Sequence, residues 1–154
     1  MATTHAWDGM SHDVRDVGAI TRAEPAHQAY LALWVGFVAL PLIAGLDKLI
    51  GFLDVNWERY LAGWVNNIVP GSASDAMMIV GVVEIAAAVL VAVAPRIGAY
   101  VVAAWLLGII INLLSLGNYN DIALRDFGLL LGALALARLA VTYHGREVGA
   151  GRKL

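Results

Sequence analysis

Seven polar residues lie inside or at the ends of long apolar runs: Asp47, Lys48, Glu84, Asn112, Asp121, Arg125 and Asp126. Four carboxylates, two cations and an amide can pair as ions, hold a polar headgroup or pass a proton. An ionisable side chain facing hydrocarbon costs about 2.5 to 3.5 kcal/mol on insertion scales, so these groups are expected to face one another. Two chemistries follow. One is a buried ion-pair network that fixes helix order. The other is a polar pocket for a quinone headgroup or small polar solute, lined by Lys48, Glu84, Asn112, Arg125 and Asp126, with Asp47 and Asp121 at its rim. Taken alone, Asp47 and Lys48 read as snorkelling groups at an interface.

Other chemistries have less support. His27 and His144 fall at the edges of apolar runs, and His5 and His12 in a polar tail, so none is placed inside a span as bis-histidine haem ligation requires. No metal site or covalent cofactor is expected. The chain has 0 cysteines, which removes thiolate ligands and thiol relays from its own chemistry. No phosphate-cradling glycine loop, HExxH pattern or Ser/His/Asp set occurs. A net charge of -2 without a basic stripe speaks against nucleic acid. Trp57 and Trp64 read as headgroup-level anchors.

The elements that position these residues are membrane helices. The chain has 154 residues, 60% hydrophobic and 14% charged, with a mean hydropathy of +0.74. An all-α integral membrane four-helix bundle is expected, with one domain over residues 28–143 and spans near 30–50, 76–94, 97–116 and 121–142. Each is close to the roughly 20 residues that cross a hydrocarbon core. Pro41 should bend the first span, and Ser74 is a candidate cap for the second. Residues 52–69 carry Trp57, Tyr60, Leu61, Trp64 and Ile68 at helical spacing among polar residues, predicting an amphipathic interfacial helix. Residues 1–27 form a polar tail without the apolar segment of a secretory signal, and residues 144–154 a basic one.

Helical periodicity places Gly81, Ala88 and Val91 on the face of Glu84. On the last span it groups Asp121, Arg125, Gly128, Gly132 and Ala135, a stripe with a GxxxG pair that predicts close packing against the other helices. Gly98, Trp105, Gly108 and Asn112 line one side of the third span.

Counting Lys and Arg orients the chain. With both termini cytoplasmic, Arg15, Arg22, Arg96, Arg138, Arg146, Arg152 and Lys153 lie inside, against Lys48, Arg59 and Arg125 outside. At about 1.5 Å per residue, all seven candidate groups then converge on the outer half of the membrane. The expected location is the cell membrane, multi-pass, with the lipid bilayer as the first partner.

GLDKL at the end of the first span, the glutamate within GVVEIAAAVLVAVAPRIG, the aromatic stretch between them and the polar opening of the fourth span resemble the DoxX-like family of small bacterial membrane proteins. The resemblance covers residues 31–140 and is carried by Gly45, Lys48, Glu84, Pro95 and Arg96. It implies a four-helix membrane fold and a redox-associated subunit, since relatives are similar to the membrane subunit of a thiosulfate:quinone oxidoreductase. A quinone and a redox partner protein are the implied ligand and partner, and homo-oligomerisation remains open. Lacking cysteine, the chain cannot itself carry a persulfide. The competing expectation is a non-enzymatic membrane anchor or accessory protein whose buried charges are structural.

Overall fold

In a computed structural model, residues 25–150 are described, with side chains through residue 144. The two tails, with Arg15, Arg22, Arg146, Arg152, Lys153, His5 and His12, lie outside the described residues or their side chains. Five helices carry the described chain: α1 Pro25–Ile50, α2 Gly63–Ile68, α3 Ala73–Val93, α4 Pro95–Leu116 and α5 Asn120–Ala150. A short 3-10 turn, Trp57–Tyr60, precedes α2.

Three of these, α1, α3 and α4, are long and apolar enough to cross a membrane. Their length and composition define a membrane protein. Their outer surfaces agree: Val35, Leu40, Val82, Val89, Leu107 and Ile111 are all exposed. Such a surface suits a solvent of acyl chains, which lipid supplies and water does not.

The four long helices pack in a ring, α1 on α3, α3 on α4, α4 on α5 and α5 back on α1. Tyr30, Phe37, Val91, Ala99, Val102, Ala133, Leu136 and Ala137 are among the buried residues at its centre. Small residues dominate where backbones approach. A Cβ on Gly98 would meet the Val91 backbone nitrogen at 2.5 Å, so the α3–α4 turn closes only because that position is glycine. Pro95 occupies the first turn of α4, where its missing N–H has no helical partner to lose. It leaves the Val91 carbonyl without its usual donor, and the Trp34 indole Nε1 donates to that oxygen at 3.1 Å. A proline-freed carbonyl at the end of α3 is thus satisfied from the neighbouring helix, as apolar surroundings require.

Several boundaries differ from the sequence expectations. Helix α1 starts at Pro25, before the expected start near residue 30, and carries Pro41 within it. Helix α3 is capped by Ser72 rather than Ser74: the Ser72 side chain accepts from the Asp75 amide at 3.2 Å, and Asp75 Oδ2 accepts from the Ser72 amide at 2.8 Å. That reciprocal box satisfies two donors at once, which a serine two residues later could not do. Residues 52–69 do not form one amphipathic helix. Gly51 and Asp54 take left-handed φ values of 65° and 54°, and helical structure returns only in the 3-10 turn and the six residues of α2. Local side-chain to backbone bonds, described below, outcompete the helical repeat there.

The largest correction concerns α5. Asp121, Arg125, Gly128 and Ala135 are exposed, whereas Ala123, Asp126, Ala133, Leu136, Ala137 and Ala140 face the bundle. Gly132 touches the Phe37 ring at 3.4 Å from a built Cβ, but Gly128 has nothing within 4 Å. The alanine face packs more surface than a stripe led by two charges could. Asp121 and Arg125 also lie within the first two turns of α5, where charged heads reach the end of the helix.

Candidate functional site

The α1–α3 and α4–α5 connections lie at the same end of the ring, away from the α3–α4 turn. At this end the polar side chains sort into three groups with different roles.

The first is Lys48 and Glu84. Lys48 Nζ donates to Glu84 Oε2 at 2.7 Å, with side chains 5% and 11% exposed. Two glycines, each three residues earlier on its helix, make the contact possible. A Cβ on Gly45 would lie 2.6 Å from the Gly81 carbonyl oxygen, and one on Gly81 would lie 2.8 Å from that of Gly45. The backbones of α1 and α3 therefore touch beside the pair: the helices run antiparallel, so a Cβ on Gly45 would also meet Glu84 Cβ at 3.2 Å and one on Gly81 would meet Lys48 Cβ at 3.0 Å. Glu84 sits with Gly81, Ala88 and Val91 on the buried face of α3, as its periodicity predicts. Lys48 is not a snorkelling group: its partner and its neighbours hold it inside.

Above Lys48 stands Trp57, whose ring centroid is 3.7 Å from Nζ. An ammonium over an indole face gains electrostatically from the ring quadrupole, more so where water is scarce. The remaining contact of Nζ is the Ala44 carbonyl at 3.5 Å, at the outer limit of a hydrogen bond. One strong donation, one weak one and one π contact thus use the three N–H groups unequally.

The second group anchors the connecting segment. Asp47 is 1% exposed. Its Oδ1 accepts from the Leu53 amide and its Oδ2 from Trp57 Nε1, both at 2.6 Å. Asp47 is therefore no outward-facing rim residue. It sets the indole over the lysine beside it. Asn112, at the far side of the same segment, donates through Nδ2 to the Tyr60 carbonyl at 2.6 Å and accepts at Oδ1 from the Ala62 amide at 2.9 Å. The amide acts as a pairing backbone unit would, and both its polar ends are consumed by the segment. The Tyr60 and Tyr119 rings meet edge-on at 5.0 Å, and Trp64 Nε1 donates to Ser115 Oγ at 2.9 Å. Residues 51–69 thus form a cover fixed to α1 on one side and α4 on the other.

The third group lies on α5. Asp126 is buried, with its side chain 9% exposed, and receives only a 3.4 Å contact from Arg125 Nε. Arg125 is 69% exposed and points away from the bundle, so it does not line an inward-facing pocket with Glu84. Asp121 is exposed as well. The seven candidates share one end of the fold, but only Lys48 and Glu84 meet in an inward-facing ion pair among the described residues.

Trp57 is the site residue that sequence reasoning misses. Its one signal is chemical: an indole donor ten residues after an aspartate followed directly by a lysine. Among the described residues no cluster of metal-ligating side chains forms. His27 instead stacks on Tyr143 at 5.1 Å with Tyr30 alongside, at the opposite end.

Comparison with protein-family models, with curated proteins and with solved structures finds no match to this chain.

Proposed function

We propose that this protein is a small redox-associated membrane subunit of the DoxX-like type, engaging a quinone headgroup or small polar solute at the Lys48–Glu84 pair beneath Trp57. In this reading all four long helices cross the bacterial cell membrane, both termini are cytoplasmic, and the cover over residues 51–69 lies at the outer surface. The observation that carries it is the buried 2.7 Å Lys48–Glu84 contact under an indole held by Asp47. A quinone needs a donor for a carbonyl oxygen and a flat surface for its ring. Lys48, with one weakly used N–H, supplies the first, and Trp57 the second. Glu84 is placed to hold or release a proton next to that donor. A bound quinone supplies two-electron, two-proton redox chemistry, and with no cysteine in the chain a partner protein is the natural electron source.

A second reading, a non-enzymatic anchor or accessory protein, is favoured by Asp47 and Asn112. Both spend their hydrogen-bonding capacity on the cover, as structural residues do. The two separate in a binding titration of a short-chain quinone with the full-length protein in nanodiscs, read by tryptophan emission. Saturable quenching that disappears in Trp57→Phe and weakens in Lys48→Met supports the site. Quenching that is non-saturable and equal in all three proteins supports the accessory role.

A further inference from the structure

Trp105 of α4 carries an indole N–H with nothing to donate to. The residue is only partly buried, yet its Nε1 is closed off from the surface and has no acceptor among the described residues. The nitrogen edge of the ring therefore points inward. Buried donors are almost always paired, because an unpaired one forfeits its bond to water. Counting from a fixed contact places this one. A Cβ built on Gly98 would stand 2.5 Å from the Val91 backbone nitrogen, so α3 and α4 touch there. Seven residues on from Gly98 is Trp105, and seven back from Val91 is Glu84. Seven residues make nearly two turns, so each count returns to the face it left, roughly 10 Å further along its helix. The helices are antiparallel, and Glu84 and Trp105 thus look at each other across the α3–α4 seam at one level. A further seven residues bring α4 to Asn112, which holds the cover. The Trp57–Tyr60 turn lies against both α3 and α4. The seam is closed at Gly98, roofed by this turn, and occupied between the two by Glu84, the Lys48 that pairs with it, and Trp105.

We propose that Trp105 is the specificity-determining residue of this site, its Nε1 donating to the second carbonyl oxygen of a ring ligand whose first carbonyl lies at Lys48. The inference rests on the quinone reading given above. An ammonium and an indole N–H reach the seam from different helices, so a flat ligand with acceptors on opposite edges satisfies both. That is the chemistry of a para-quinone. A ligand with a single carbonyl leaves the indole unpaired, and a site built around a hydrogen bond discriminates strongly against an analogue that lacks it.

The test sets the full-length protein in nanodiscs against two probes, a short-chain para-benzoquinone and the matching cyclohexadienone, in which a dimethyl carbon replaces one carbonyl. Affinities are read by equilibrium dialysis, which does not depend on tryptophan emission. The native chain should bind the quinone about tenfold more tightly than the dienone, the scale of one buried hydrogen bond. Trp105→Phe keeps a ring in the seam and removes the donor. It should weaken quinone binding about tenfold and leave dienone binding unchanged, which also shows that the site is intact. With the indole nitrogens isotopically labelled for NMR, the Trp105 N–H resonance should move downfield on adding quinone and stay in place with the dienone. Equal loss of both probes in Trp105→Phe would make the ring a packing group and overturn the proposal. So would quinone binding that Lys48→Met weakens and Trp105→Phe does not, a result that leaves the Lys48–Glu84 site standing. Absence of saturable quinone binding to the native chain overturns the site itself, and the role of Trp105 with it.

Discussion

Gly45 and Gly81 press their backbones together so closely that a Cβ on either would stand 2.6 or 2.8 Å from the other's carbonyl oxygen. Three residues along each helix stand Lys48 and Glu84. The close approach and the ion pair are one construction. The first sets the interhelix distance at which a lysine and a glutamate can meet without reaching into lipid.

Replacing either glycine by alanine should therefore separate the helices. Gly45→Ala and Gly81→Ala are each expected to lose about 1 to 3 kcal/mol of stability, the usual cost of overpacking. Gly36→Ala, in a position with nothing within 4 Å of the added carbon, should be nearly neutral. Thermal unfolding in mild detergent compares the three, and equal transitions would mean that the α1–α3 contact is looser than described.

Removing one partner of the buried pair should harm more than removing both. Lys48→Met or Glu84→Gln alone leaves a charge or a polar donor without its partner, at about 3 to 5 kcal/mol for a buried pair. The double change should cost clearly less than the sum of the singles, which a double-mutant cycle on unfolding measures. Additive losses would mean that the two side chains do not interact in the membrane.

Asn112 holds the cover by two bonds to backbone atoms. Asn112→Ala leaves the Ala62 amide and the Tyr60 carbonyl without partners, a loss of about 1 to 3 kcal/mol if neither finds water. The readout is amide hydrogen exchange, expected to accelerate over residues 60–62 while the centre of α4 stays protected. Uniform acceleration through α4 would assign Asn112 to helix packing instead.

Much of this was legible in the amino-acid order, for identifiable reasons. Apolar runs mark α1, α3 and α4 because within a single continuous apolar segment of about 20 residues only a helix satisfies the backbone groups in lipid. The 3.6-residue repeat puts Glu84 with Gly81, Ala88 and Val91, and the shared depth of Lys48 and Glu84 follows from counting along antiparallel helices. Trp57 was not legible, since it lies in a segment whose shape depends on Asp47, 10 positions from Trp57, and on Asn112, 50 and 52 positions from the Ala62 and Tyr60 groups it holds. The face of α5 was misread because insertion cost argues for burying Asp121 and Arg125, and that cost vanishes near a helix end. There the alanines decide.

Asp47 positions Trp57, and its removal should be visible in the indole itself. Asp47→Ala frees Trp57 Nε1 and the Leu53 amide. The emission of Trp57, isolated in a background with the other tryptophans replaced by phenylalanine, should shift to the red and become accessible to an aqueous quencher. Asp47→Asn, which retains an acceptor, should shift it less. No shift in either variant would mean that the lysine alone holds the indole.

The most direct measurement of the central claim is native mass spectrometry of the full-length protein released from its own membrane under mild conditions, beside its Lys48→Met and Trp57→Phe variants. The expected result is a retained small molecule of quinone mass in the native chain that is lost or strongly reduced in both variants, with Asp121→Asn keeping it. A chain that carries no such molecule, or one retained equally by all the variants, would contradict a ligand site at Lys48 and Glu84 and leave the pair as the fastening between α1 and α3.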